Sequence, residues 1–131
     1  MPQMANIVVK KADGTTDITW TAVTASAGDS IPARWTSDTA AAIRGHRPTF
    51  EQRSQYNGPR TARRVTETIK FPIIRSISGV DTKTGEQIVE LSYLQPVDVT
   101  DSEAAECVAQ ATNLFASVLN RACLNSAYSA T

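Results

Sequence analysis

The feature that most constrains this chain is the order of its patterns. About a hundred residues of strand-like segments come first, punctuated by Gly, Pro, Asn and Asp, and from Thr100 onward there is no Gly or Pro at all. Strands first and helix last predict an α+β fold, an antiparallel sheet with helices on one face, not alternating βαβ units. At 131 residues the chain reads as one domain, residues 1–131, large enough to form a core without metal or disulfide. Within it the sequence divides into a hairpin at 5–24, a sheet at 31–99 and a helical region at 100–126.

The segments themselves are readable. Ala5 to Lys11 is a short apolar run, Asp13-Gly14 is a strong hairpin signal, and Thr16 to Thr24 is rich in Thr, Val, Ile and Trp. Ile31 to Thr36 reads as a short strand, with Pro32 suiting an edge position. Ser37 to Gly45 reads as loop, Arg47 to Tyr56 as strand, and Asn57-Gly58-Pro59 as turn. A strand over Arg60–Pro72 is followed by another at Ile73–Ile77, a polar loop at Ser78–Gly85 and a last strand at Glu86–Val99, giving about seven strands. Thr100-Asp101-Ser102-Glu103 is a capping-box pattern. Apolar residues from Val108 to Ala122 then recur at helical spacing. One helix from Asp101 to Ser126 would be about 39 Å long, with a break near Asn120–Arg121 as the alternative.

Little here supports catalysis. No apolar run reaches membrane-span length, and the N-terminus lacks the basic start and apolar core of a signal peptide. Cys107 and Cys123 sit sixteen residues apart on the predicted helix. They read as small buried hydrophobes and are too distant along one helix to bond. No metal-ligand spacing is present. His46, flanked by Arg44 and Arg47, has no nucleophile motif beside it and reads as a surface histidine in a basic loop. Asp101 and Glu103 are explained by helix capping, and no phosphate loop, dinucleotide fingerprint or nucleophile elbow occurs. The chain is expected to be no enzyme, with no cofactor and no metal.

Charge is where the sequence turns informative. Thirteen basic and thirteen acidic residues cancel. Yet between Arg44 and Arg75 eight basic residues face two acids, a net of +6, while the remainder holds five against eleven, a net of −6. Such asymmetry points to a polyanion on one face. Strand alternation says which face. Arg64, Thr66, Thr68 and Lys70 point one way, and Val65, Glu67, Ile69 and Phe71 the other. Arg53 joins the first set, with Thr49 and Glu51 beside it by alternation. Such a row can neutralise phosphates and meet unstacked bases. It equally fits a solvated face with cross-strand charge pairs, such as Arg53 with Glu51 of a neighbour. Glu67 on the apolar side has no partner legible in the sequence.

Four ordered stretches carry a resemblance. They are Asn6-Ile7-Val8-Val9 with Asp13-Gly14 and Asp17-Ile18-Thr19; Ala33-Arg34-Trp35-Thr36-Ser37; Gln55-Tyr56-Asn57-Gly58-Pro59-Arg60-Thr61-Ala62-Arg63-Arg64-Val65; and Pro96-Val97-Asp98-Val99-Thr100-Asp101-Ser102-Glu103. Together they cover nearly the whole chain and resemble the coat proteins of single-stranded RNA bacteriophages, the levivirus group. The resemblance implies an N-terminal β-hairpin, a five-stranded antiparallel sheet and two C-terminal helices that lie over the partner in an intertwined homodimer. It further implies icosahedral assembly around single-stranded genomic RNA, location in a virion formed in the bacterial cytoplasm, and binding of an RNA hairpin that represses translation. No membrane is involved. By position, it places Thr49, Arg53, Arg64, Thr66, Thr68, Lys70 and Glu90 toward RNA, with Glu51 and Ser92 on the same face. Two departures stand out. The loop Gly79–Gln87 has no cysteine for covalent links between subunits, and Ser37–Gly45 looks longer than the family's equivalent. The alternative reading is a small dimeric nucleic-acid-binding regulator that forms no shell.

Overall fold

Asp13 organises the start of the chain. In the computed structural model, which describes residues 2–131, its carboxylate accepts the backbone N–H groups of Thr15 and Thr16 at 2.9 Å each, and the Thr16 hydroxyl. Gly14 follows at φ +73°, a conformation that costs glycine nothing. The turn joins β1 (Ile7–Lys10) to β2 (Asp17–Thr24), with Ile7 opposite Trp20 and Lys10 opposite Asp17. The Thr16 hydroxyl, then the two backbone donors, hold the Asp13 carboxyl down at a pKa of about 2.

The strands β3 (Ala33–Thr36), β4 (Thr49–Tyr56), β5 (Ala62–Ile77) and β6 (Val80–Pro96) continue the meander, so that all six lie side by side in chain order. Hairpin and sheet therefore share β2, and the count is six rather than seven. Two local readings change with it. Pro72 does not divide β5, because the last β4 pair is Thr49 with Lys70. Beyond it β4 offers no ladder bond for proline to lose on that side. The polar stretch after Ile77 is not a loop but a two-residue turn, Ser78 at φ +51° and Gly79 at φ +80°, the hairpin geometry that matches strand twist. β6 consequently starts at Val80 instead of Glu86. Pro32 also sits just outside β3, which is an interior strand between β2 and β4 and not an edge. The Ser37–Gly45 segment is irregular as expected and runs into a single 3-10 turn, Arg44–His46.

One side of the sheet carries the core. Trp20, Ala33 and Trp35 are buried, and Met4, Ala22, Phe50 and Ile69 pack on them. The Trp35 ring stacks on Phe50 at 5.1 Å between centroids, and Trp20 meets Phe71 edge-on at 5.9 Å, both favourable aromatic arrangements. Trp35 Nε1 donates to the Ala5 carbonyl at 2.8 Å, tying the N-terminal segment to this cluster. Glu67 is accounted for on this side. It lies directly opposite Gln52, whose amide donates to its carboxylate at 2.7 Å, so a polar pair is satisfied among apolar neighbours.

The residues from Gln95 to Thr131 form a separate unit. Thr100 and Glu103 cap α1 (Asp101–Phe115) reciprocally. The Thr100 hydroxyl accepts the Glu103 N–H, and the Glu103 carboxylate accepts the Thr100 N–H at 3.0 Å. The helical region is split, but at Ala116–Ser117, earlier than Asn120–Arg121. The Ser117 hydroxyl accepts the Asn120 N–H and starts α2 (Val118–Ser126). No residue of either helix is buried, and Leu114, Val118, Leu119 and Leu124 stand open. Cys107 is likewise exposed and Cys123 half-buried, both free thiols, which corrects the expectation of buried small hydrophobes. Among the described residues no helix is long and apolar enough to cross a membrane.

Candidate nucleic-acid interface

Sheet register brings the predicted row together. Pairing of β4 with β5 sets Thr49 opposite Lys70, Glu51 opposite Thr68, Arg53 opposite Thr66 and Gln55 opposite Arg64. Directly opposed residues share a face, so Thr49, Arg53, Arg64, Thr66, Thr68 and Lys70 all lie on the side away from the tryptophan core. Pairing of β3 with β4 adds Arg34, opposite Glu51, and Thr36, opposite Thr49. Sequence reading passed over these two. Their signal was present in the alternation of Ala33-Arg34-Trp35-Thr36, where the buried Ala33 and Trp35 leave Arg34 and Thr36 on the other side.

Glu90 enters through β6. Glu86 lies close enough to Lys70 for that cation to help lower its carboxyl pKa, after the dominant hydrogen bond from Lys83 at 2.9 Å. Gly85 sits by the Ile73 side chain on the other side. β6 is the neighbour of β5 in the sheet, and Glu90 and Ser92 stand exposed on it.

Electrostatics divide this face unequally. Arg34 Nε lies 2.9 Å from Glu51, so that carboxylate is taken by β3 and not by Arg53. Arg53, Arg64 and Lys70 are exposed, and among the described residues none has a carboxylate at ion-pair distance. A shallow recess of about 200 Å³ lies among Pro32, Glu51, Arg53, Gln55, Thr66 and Thr68. Cations with no carboxylate at ion-pair distance, flanked by threonine hydroxyls, are an arrangement that binds phosphate and ribose.

Not every cation in the +6 segment belongs here. Arg63 is on the core side, where it reaches Asp29 at 2.7 Å and its guanidinium lies 4.4 Å from the Tyr56 ring centroid. Arg47 is spent on its own loop, donating to the Ala41 carbonyl at 2.7 Å, to the Ala42 carbonyl at 3.1 Å and to Asp38 at 3.1 Å. The sequence total thus overstates the charge available on the sheet face. Among the described residues no group of three or more His, Cys, Asp and Glu side chains is placed to hold a metal ion.

No family model matches the chain, and no curated protein matches it significantly. Solved structures do. The subunit of the virus-like particle of Beihai levi-like virus 21 superposes with a TM-score of 0.83 at 17% identity, covering 99% of each chain. That of bacteriophage NT-214 gives 0.82 at 17% identity, covering 99% of this chain and 100% of the other. The capsid protein of bacteriophage GA gives 0.72 at 15% identity, covering 95% of each. The likeness is one of fold, and it runs through both units: the chain has the α+β coat-protein fold of levi-like viruses and bacteriophages.

Proposed function

We propose that this chain is the coat subunit of a single-stranded RNA bacteriophage, one domain whose dimers close into an icosahedral shell around RNA. The observation that carries the reading is the Arg53, Arg64 and Lys70 set. Three exposed cations with no carboxylate at ion-pair distance among the described residues stand on an open sheet face, in a fold shared end to end with particle-forming subunits. In the shell this face points inward, and Thr49, Thr66, Thr68 and Glu90 meet the RNA beside the cations. An RNA hairpin seated there makes the same dimer a translational repressor. The subunit resides in the virion, formed in the host cytoplasm, and performs no catalysis.

Two features support self-association. β6, seventeen residues long, ends the strand order and is paired on one side only. An edge of that length is a liability unless another strand covers it, and a second copy related by two-fold symmetry supplies an identical edge. The helices, with no buried residue of their own, find cover on the partner subunit.

Expression in a bacterial host tests the reading. The purified protein is expected to elute as a megadalton particle containing nucleic acid and to show closed shells by electron microscopy. A stable free monomer without RNA would overturn it. A dimer that binds nucleic acid but forms no shell would instead establish a small regulator.

A further inference from the structure

The cationic face does not simply end at Lys70. Along β5 the same side continues with Pro72 and Ile74, and there the surface turns from polar to apolar. The 3-10 turn Arg44–His46 lies against β5 at this point. A recess of about 490 Å³ opens between them, walled by Ile43, His46, Pro48, Pro72, Ile74 and Asp81. Its size falls within the range of small-molecule sites. The wall that the loop forms is held in advance: Arg47 fastens the loop through the Ala41 and Ala42 carbonyls and Asp38, and the Ser37 N–H donates to the Pro48 carbonyl at 3.2 Å. A preformed wall loses little on ordering when the recess is filled.

We infer that this recess receives one unpaired nucleobase of an RNA strand lying on the Arg64–Lys70 row, an inference that rests on the RNA reading above. Pro72, two residues beyond Lys70 on the same side of β5, lines the recess, and the neighbouring row fixes the kind of occupant. Two proline rings, Ile74 and the His46 imidazole offer flat and apolar surfaces to a base. Asp81, which has no ion pair among the described residues, supplies an acceptor for a base amino or imino group. The charges also set the direction of entry. Lys70 at the junction attracts the phosphate while the Asp81 carboxylate repels it, so the backbone stays outside and the base turns inward. The threonine-lined recess near Arg53 is a different place, on β4 and the first half of β5.

The test uses the purified protein and short single-stranded RNA carrying 5-iodouridine, with an abasic RNA of the same length for comparison. Irradiation is expected to cross-link the protein within the segments holding His46 or Ile74. His46→Ala is expected to weaken binding of the base-bearing RNA by about fivefold or more. It should leave binding of the abasic RNA and the salt dependence unchanged, because no phosphate contact is lost. Ile43→Ser, at a position 56% exposed, is a second variant with little risk to folding and should act in the same direction. Wild-type-like affinity in both variants, with cross-links confined to β4 and the Arg64–Lys70 segment, would overturn the recess and leave the RNA face standing. Absence of salt-dependent RNA binding in the wild type would overturn the RNA reading and this inference with it.

Discussion

The number of free cations on the sheet face sets how steeply RNA binding must depend on salt. Each phosphate neutralised on a single strand releases counterion, and the slope of log K against log salt is about −0.7 per contact. Arg53, Arg64 and Lys70 supply three contacts per chain, because Arg34 is already held by Glu51. The expected slope is about −2.1 per chain, so a fourfold rise in salt weakens binding about eighteenfold. Arg64→Ala or Lys70→Ala brings the slope to about −1.4 and the loss to about sevenfold. Glu51→Gln acts the other way. It frees Arg34, steepens the slope toward about −2.8, and raises the loss to nearly fiftyfold, roughly. Arg63→Ala is the control, since its guanidinium is on the other side with Asp29 and Tyr56, and the slope should stay. Fluorescence anisotropy of a labelled single-stranded RNA across a salt series measures all of these. If Arg64→Ala and Lys70→Ala both leave the slope at its wild-type value, the row does not face phosphate and the argument fails. An unchanged slope in Glu51→Gln would show that Arg34 is not held in reserve.

The Asp13 turn gives a pH dependence. A carboxyl whose pKa falls from 3.8 to about 2 on folding contributes stability that is fully present above pH 3.8. That stability is lost as the pH falls toward about 2. Asp13→Ala should therefore lower the melting temperature at neutral pH and flatten the change between pH 4 and pH 2, about the span of the two values. An acid limb as steep as wild type in that variant would contradict the hydrogen-bonding account. For Gln52 and Glu67, Glu67→Ala is expected to cost about 1–3 kcal/mol by stranding the glutamine amide. Replacing both with leucine should be close to neutral, and chemical denaturation of the three proteins decides it.

What the sequence disclosed and what it withheld follow the same physics. The Asp13-Gly14 hairpin, the Thr100 capping box and the alternation from Arg64 to Lys70 are local. Each is set by residues within one turn or one strand, and each stands in the structure. Register is not local. That Glu51 is taken by Arg34, and Glu67 by Gln52, depends on which strand lies beside which and at what offset. Pro72 misled because proline breaks a strand only where a neighbour would have used its N–H, and β4 has ended there. Ser78 misled because a serine at positive φ is uncommon, so its two-residue turn was read as part of a longer loop. Ser117 starts α2 through a single hydroxyl, a signal that every serine in the helical region shares.

The early end of β4 has a mechanical consequence. From Phe71 to Ile77, β5 is flanked in the sheet by β6 alone. A two-stranded ribbon twists more than the body of a sheet and lacks the bracing of a third strand. Force applied at its Ser78–Gly79 tip is absorbed as bending within the ribbon. The broader part, where Arg53, Arg64 and Lys70 stand, keeps its spacing, so a chain pressed by neighbours at that tip can yield there without disturbing the distances between its cations.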